Sequence, residues 1–336
     1  MGKVRLMPSG TEIEVAQGES VLSALEKRGY ALPNNCRAGA CGECKCKVLS
    51  GEFDQGFGLD MALSQEDRSQ GYGLMCMAKL KSEILEIEYG TEDAKPKLFP
   101  PKENRSYIVM DKYLVTPTIV KLRLKSIGES MRFWPGQYVT LGNTNKGIPE
   151  RCYSIAGIPN QEGELTLLIT KVKDGKTSLW IHNELKAGEI VRINGPYGTF
   201  IGNPSVETPV LCLAAGSGLA PILSLASGAL MRGGFRQPAT VLFSAKTKAD
   251  LMEEGWFQYM KTKFRNFKFK YTLTQEENPN GLTGRIPDLL KKEYPDLSTY
   301  SVYIAGSTGF VEECSKKVIE LGAREDHIHT EKFISQ

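Results

Sequence analysis

The sequence predicts a multidomain protein of α+β and α/β class: a small β-grasp unit, then an antiparallel β-barrel, then a doubly wound parallel sheet. Three observations carry this. A hairpin, a helix and a late strand surround a cysteine-rich loop within residues 1–90. Short strand-like runs recur at even spacing over 105–202. Over 206–336 apolar strands alternate with helices. At 336 residues the chain is too long for one ordinary core. Its 41% hydrophobic and 24% charged residues exclude a disordered chain. Forty-two Lys+Arg against 39 Asp+Glu leave only +3, too little for a general binder of nucleic acid or membrane surfaces.

In the first unit, Val4 and Leu6, then Ile13 and Val15, flank a Pro8-Ser9-Gly10 turn and predict a hairpin. Ser20 caps a helix carrying Val21, Leu22 and Leu25 on one face, and Gly29 ends it. A strand near 45–49 follows the cysteines, and 84–89 closes the unit. Residues 91–104 hold Pro96, Pro100 and Pro101 without periodicity, the composition of a semi-extended linker. Barrel strands are predicted at 107–110, 119–124, 137–141, 165–170 and 190–193. The last part reads as strands at 210–213, 240–243 and 302–305, each leading into a helix. Residues 208–231 carry no charge, but Gly216, Gly218, Pro221, Ser224 and Ser227 interrupt them, so a strand, a glycine loop and a helix start fit better than a membrane span. The N-terminal MGKVRLMPSG lacks the apolar core of an export signal, so a cytoplasmic protein is expected. Nothing demands more than a monomer. Residues 1–90 hold 10 basic and 13 acidic residues, whereas the remainder has a net charge of +6.

Eight cysteines in a chain expected to stay in a reducing compartment argue against disulfides. Cys36-x4-Cys41-x2-Cys44, with Cys76 after 31 intervening residues, is the plant-type [2Fe–2S] ligand spacing. Gly39 and Gly42 let the backbone approach the sulfides, and the amides of 37–43 can point at a negative cluster. A structural zinc site is the alternative, although zinc usually takes two close C-x2-C pairs and only one is present. A Rieske centre is excluded, because none of the three histidines (His182, His327, His329) lies near these cysteines. Cys46 is expected on a strand rather than as a ligand, and Cys152, Cys212 and Cys314 as small buried hydrophobes.

Two barrel segments stand out, Trp134-Pro135-Gly136-Gln137-Tyr138 and Arg151-Cys152-Tyr153-Ser154. An edge strand with a solvated arginine would explain the second. It also supplies what a flavin needs: a planar fork for pyrophosphate at Arg151, a flat face at Tyr153 and a hydroxyl at Ser154. Gly175-Lys176-Thr177-Ser178 precedes an apparent helix whose N-terminus can hold phosphate. Ile169 and Lys171, at the end of the neighbouring strand, are counted with these cofactor-binding residues. In the last part, Gly216-Ser217-Gly218 between a strand and a Pro-initiated helix lets amides reach a diphosphate. A second loop, Ala305-Gly306-Ser307-Thr308-Gly309, follows another strand, and two such loops make a dinucleotide crevice. Past the intervening strand, Ser244 and Lys246 are candidates for the nucleotide. No acidic residue there stands out for a ribose 2′-hydroxyl, and the lysines can accept a 2′-phosphate unless they are merely solvated.

The order of CRAGACGEC…C, GQY, RCYS, GPYG and AAGSGLAPILS resembles, over almost the whole chain, the reductase components of bacterial multicomponent oxygenases. These belong to the ferredoxin–NADP reductase superfamily, with a plant-type ferredoxin fused at the N-terminus. The order is also similar to NAD(P)H-dependent iron–sulfur flavoreductases of deoxysugar synthesis. The resemblance implies a [2Fe–2S] cluster on Cys36, Cys41, Cys44 and Cys76. It implies FAD on Arg151, Tyr153 and Ser154 with help from Thr177 and Ser178, and a nicotinamide dinucleotide over Gly216–Gly218. NADH is the implied donor and NADPH the alternative. The acidic-x-aromatic pattern Glu331-Lys332-Phe333 puts Phe333 near the flavin ring and makes Ser154, Glu331 and Phe333 the catalytic candidates. Ala305 stands where many relatives carry a cysteine beside the nicotinamide, so hydride transfer is expected to be slower. The implied activity is NAD(P)H-driven reduction of a terminal oxygenase or separate ferredoxin. A redox sensor or zinc scaffold on a nucleotide-binding domain is the non-enzymatic alternative.

Overall fold

Period-2 alternation puts Val4 and Leu6 of strand β1 (Gly2–Met7) and Ile13 and Val15 of antiparallel β2 (Thr11–Val15) on one buried face. In the computed structural model, which describes residues 2–91, 94–203, 206–279 and 281–334, this hairpin opens the first of two units. That unit comprises the chain up to Glu103 together with Gly195–Thr199; the second comprises Asn104–Asn194 and Phe200 onward. Helix α1 (Val21–Lys27) starts at Ser20, whose hydroxyl accepts from the Ser23 amide at 3.3 Å, and ends before Gly29, at φ +78°. Strands β3 (Lys45–Ser50), β4 (Phe53–Asp54), β5 (Tyr72–Leu74), β6 (Lys79–Leu80) and β7 (Ile84–Glu88) follow, with the short helix α2 (Gln65–Ser69) between β4 and β5. The main sheet runs β2-β1-β7-β3-β5, with β1 and β7 parallel, and α1 packs Val21, Leu22 and Leu25 into its core. This is the expected β-grasp arrangement.

Residues 94–101 form no helix or strand; the Lys97 and Leu98 amides both donate to the Gly29 carbonyl, at 2.8 and 2.9 Å. Regular structure resumes at Lys102, earlier than the proline-rich composition suggests. The Asn104 amide donates to Asn194 Oδ1 at 2.7 Å, and Arg192 donates to the Asn104 carbonyl, so side chains of a later strand recruit these residues.

The next sheet belongs to the second unit except for Lys102–Glu103 and Gly195–Tyr197: β8 (Lys102–Thr116), β9 (Ile119–Ser126), β10 (Tyr138–Asn143), β11 (Ile148–Ser154), β12 (Glu164–Thr170) and β13 (Ile190–Tyr197) are ordered β11-β10-β13-β8-β9-β12. The bridge between Ile155 and Leu167 closes the sheet into a barrel around Val120, Leu122, Leu124, Leu167 and Ile181, the last from helix α3 (Lys176–Asn183). Strand β11 was not among the predicted runs, because Pro149, Glu150 and Arg151 interrupt its apolar alternation.

The remaining elements are β14 (Val210–Ala215), α4 (Leu219–Ser227), β15 (Ala239–Ala245), α5 (Glu254–Lys263), β16 (Phe267–Leu273), β17 (Leu282–Thr283), α6 (Ile286–Glu293), β18 (Ser301–Ser307), α7 (Thr308–Glu320) and β19 (Ile328–Phe333). All pair in parallel in the order β17-β16-β15-β14-β18-β19. Both faces are covered: Cys212 and Ala214 face the core shared with α4 and α5, while Leu211 and Leu213 face the one shared with α6 and α7. Strand order reverses between β14 and β18, where a doubly wound sheet opens its ligand crevice. Among the described residues, no helix is long and apolar enough to cross a membrane.

Candidate functional site

Cys36, Cys41 and Cys44 lie on the loop between α1 and β3, and Cys76 lies just beyond β5. The loop needs its glycines. Gly39 sits at φ +70°, and a Cβ there would lie 2.7 Å from the Phe57 carbonyl oxygen. The resulting turn aims the amides of Ala38, Ala40 and Cys41 at Cys36 Sγ, at 3.4, 3.3 and 3.3 Å, a cradle for a negative sulfur. The Cys41 thiol and these amides push the Cys36 thiol down to about 5. The Cys76 amide donates to Cys44 Sγ at 3.4 Å, and the hydrogen bond from Cys44 holds the Cys76 thiol below its ordinary value.

Cys36 and Cys41 act on each other, as do Cys44 and Cys76, and Cys41 also acts on Cys44 and Cys36 on Cys76, so the four thiols lie together. Four cysteines with backbone amides aimed at Cys36 Sγ and Cys44 Sγ are a donor set that fits [2Fe–2S]. Cys46 is buried on β3, and burial pushes its thiol up to about 12. Cys212 and Cys314 are buried as expected; Cys152 is only half-buried, because it lies on edge strand β11.

Arg37, at φ +54° inside the loop, escaped the sequence reading. Its Nη1 donates to both carboxylate oxygens of buried Glu26, at 2.7 and 2.6 Å, and its guanidinium lies 4.0 Å from the Tyr197 ring centre. Burial pushes the Glu26 carboxyl up, with Arg37 opposing. The nearest signal was a charged residue inside the apolar face of α1.

In the second unit the crevice at the strand-order reversal gathers candidates from three stretches of chain. Strand β19 sets Glu331 opposite Ala305 and Phe333 opposite Ser307. Ser154, at the end of β11, donates its hydroxyl to Glu331 Oε1 at 2.5 Å, and both side chains are buried. A buried carboxylate needs such a donor, and a hydrogen bond to a charged group contributes about 1.5–3 kcal/mol. Gly218 starts α4 so close to β18 that a Cβ would lie 2.3 Å from the Ala305 carbonyl oxygen. Gly216, at φ +54°, faces open space, as a diphosphate-binding turn must. Thr170, which sequence reasoning missed, donates to Ser217 Oγ at 2.9 Å and ties the end of β12 to this turn. Ser244, the last residue but one of β15, is half-buried, and Lys246 just beyond the strand is exposed.

Arg151 is half-buried and donates to the Glu150 carbonyl at 2.9 Å, and Tyr153 packs partly against the barrel core. Ile169 turns its side chain into that core and accepts from His182 Nε2 at 2.9 Å, so it offers position rather than a side-chain contact. Lys171 is exposed. The run Gly175–Ser178 forms the N-cap and first turn of α3 rather than preceding a helix. Thr177 Oγ1 donates to the Pro149 carbonyl at 2.5 Å, and Ser178 Oγ bonds the Val172 amide and the Gly175 carbonyl. These hydroxyls brace the turn, so at this helix start the donors open to an anion are backbone amides and not side chains. The expected loop Ala305–Gly309 is likewise no loop. Strand β18 runs through Ser307 straight into α7, because Gly306 admits Phe310 against it; a Cβ there would lie 2.8 Å from that ring.

Residues 4–81 match the 2Fe-2S iron-sulfur cluster binding domain, 109–201 the oxidoreductase FAD-binding domain and 212–316 the oxidoreductase NAD-binding domain. Over 329 residues, 97% of each protein, the chain is 30% identical to the ferredoxin–NAD(P)(+) reductase component of naphthalene 1,2-dioxygenase/salicylate 5-hydroxylase systems from Ralstonia sp. It is 29% identical to the CDP-6-deoxy-L-threo-D-glycero-4-hexulose-3-dehydrase reductase of Yersinia pseudotuberculosis, over 98% of each protein. Among solved structures, the cytochrome P450 reductase GcoB of Amycolatopsis superposes with a TM-score of 0.89 at 28% identity, over 99% of both chains. The chain belongs to the family of iron–sulfur flavoprotein reductase components, oxidoreductases carrying [2Fe–2S]-, FAD- and NAD-binding domains on one polypeptide.

Proposed function

We propose that this protein passes electrons from NADH to an oxygenase or its separate ferredoxin, as a cytoplasmic monomer. The observation that carries this reading is four gathered cysteines, with backbone amides aimed at Cys36 Sγ and Cys44 Sγ, in a chain whose parallel sheet also reverses strand order. When bound, FAD supplies hydride uptake with release of electrons one at a time, and [2Fe–2S] supplies one-electron carriage.

The chain's own residues bind and orient. Cys36, Cys41, Cys44 and Cys76 hold the irons. Arg151 meets the FAD pyrophosphate, joined by the amides of the Thr177–Ser178 turn, while Tyr153 supplies a flat face. Gly216, Ser217 and Gly218 take the dinucleotide phosphates, with Gly306 flanking the crevice and Ser244 and Lys246 toward the adenosine. Ser154 and Glu331 would present their hydrogen-bonded pair to the flavin and nicotinamide, and Phe333 would lie against the flavin ring. Ala305 brings no thiol to that meeting, so hydride transfer is slower than in cysteine-bearing relatives. The reading divides the chain into residues 1–90, 105–202 and 206–336, with 91–104 between.

The Yersinia relative names a second acceptor class, a deoxysugar dehydrase, which activity with each reconstituted acceptor separates. The test of electron order is Cys41→Ser. It abolishes NADH-driven reduction of cytochrome c and spares most reduction of ferricyanide, a small acceptor reached from the flavin. Equal loss of both activities would contradict the order.

A further inference from the structure

We infer that Phe57, Leu59 and Met61 form the docking face for the protein that accepts electrons from this chain, and that this partner presents an apolar patch rimmed by lysine or arginine. The inference rests on the electron-transfer reading above.

The segment after β4 runs along the cysteine loop. The Leu59 amide donates to the Gly39 carbonyl at 3.0 Å, and Cβ atoms on Gly39 and Gly42 would lie 2.7 Å from the Phe57 and 3.3 Å from the Ala62 carbonyl oxygens. Ala62 and Leu63 are buried, and their amides close a turn onto the Leu59 carbonyl at 2.8 and 3.0 Å. Held along the loop and at this turn, the segment turns three large apolar side chains at alternate positions to solvent: Phe57 is 62% exposed, Leu59 39% and Met61 83%. Of the large apolar side chains exposed in this unit among the described residues, only Leu49 lies elsewhere.

The surrounding charge is mainly negative, although Arg68 donates to the Gly58 carbonyl at 3.3 Å and Lys79 registers opposite Asp54. Between Val48 and Arg68 every charged residue is acidic: Glu52, Asp54, Asp60, Glu66 and Asp67. Among the described residues, only Asp67 of these five has a cation within ion-pair distance, Lys45 at 2.9 Å. An apolar centre with an acidic rim selects the opposite arrangement, steering a cation-rimmed surface and repelling an acidic one. Such a partner lands beside the loop that carries three of the four cluster thiols, which shortens the path for an electron.

The test uses reconstituted full-length protein and cytochrome c, a lysine-rimmed one-electron acceptor, as the probe. All substituted side chains are exposed, so iron content and visible spectrum should match wild type. In F57Q/M61Q the KM for cytochrome c rises at least about fivefold, with NADH–ferricyanide turnover unchanged. In D60N/E66Q the salt dependence of cytochrome c reduction flattens. Zero-length carbodiimide cross-linking, which needs no turnover, couples probe lysines to Asp54, Asp60 or Glu66 in wild type, and the yield drops in F57Q/M61Q. Unchanged KM, or cross-links confined to other carboxylates, overturns the docking face alone. A dimeric wild type that F57Q/M61Q renders monomeric assigns the face to self-association and overturns it too. A wild type that reduces ferricyanide but not cytochrome c overturns the electron-transfer reading, and the docking face with it.

Discussion

Gly218→Ala puts a methyl group where strand β18 passes the start of α4. Built on the native backbone, that Cβ lies 2.3 Å from the Ala305 carbonyl oxygen, 2.6 Å from its carbonyl carbon and 2.8 Å from Gly306 Cα. Ordinary contact begins near 3.4 Å, so one element must retreat by about 1 Å. Neither side yields easily. Ala305 is wholly buried and registers with Ala214 on one neighbour and Glu331 on the other, and every residue of α4 is buried. Overpacking of this kind costs about 1–3 kcal/mol, and a rigid backbone neighbour puts the cost at the upper end. Alanine recovers up to about 1 kcal/mol, because Gly218 has helical backbone angles, φ −58° and ψ −13°. The expected net loss is about 2 kcal/mol. The same retreat moves the Gly216–Gly218 amides, so the KM for NADH should rise roughly tenfold or more. Urea unfolding and NADH–ferricyanide kinetics measure the two effects. Gly309→Ala serves as the control, since a Cβ there meets nothing within 4 Å; it should be neutral or stabilise α7 by about 0.5 kcal/mol. A Gly218→Ala protein with wild-type stability and wild-type KM would refute the argument that this close approach shapes the crevice.

Ser154→Ala removes the hydroxyl that Glu331 accepts at 2.5 Å; it should lower stability by about 1.5–3 kcal/mol and NADH–ferricyanide turnover roughly tenfold to a hundredfold, and full turnover would remove Ser154 from the site. Cys46→Ala should retain full iron while losing about 1 kcal/mol of stability, whereas Cys44→Ala should lose iron; metal analysis after reconstitution separates a packing thiol from a ligand. Burial lowers the pKa of His182 and His329 in the folded state. A depressed folded pKa contributes stability that is present above the unfolded value of about 6.5 and lost as pH falls through the folded one. Thermal midpoints should therefore hold from pH 7 to 8 and decline below about pH 6.5, less steeply in His329→Phe, which keeps a ring against Tyr303; an unchanged acid slope in that variant would exclude His329 as a contributor.

The architecture was legible because its signals are local. Alternation of Val4, Leu6, Ile13 and Val15 marks a half-buried hairpin, and apolar runs alternating with helices mark a parallel sheet. The cysteine spacing was legible because three of the four candidate ligands, Cys36, Cys41 and Cys44, sit on one loop. What stayed hidden depends on contacts between residues far apart in the chain. Ser154 and Glu331 are 177 residues apart, and only the parallel pairing of β18 with β19 brings Glu331 to the crevice. Thr170 looks like any strand-end threonine until the fold sets it against Ser217. The hydroxyls of Thr177 and Ser178 pointed to phosphate by residue type, yet they satisfy backbone groups beside their own helix. Gly306 suggested a loop by composition, whereas its missing Cβ makes room for Phe310.

Cys36, Cys41, Cys44 and Cys76 are expected to hold two irons able to take an electron that began on NADH. Anaerobic reconstitution, metal and sulfide analysis, and low-temperature EPR before and after adding NADH test it in one preparation. The expected result is about two irons and two labile sulfides per chain, with a paramagnetic signal that NADH elicits and that Cys41→Ser lacks. About one zinc per chain, or an iron centre that stays EPR-silent after NADH has bleached the flavin, would contradict it.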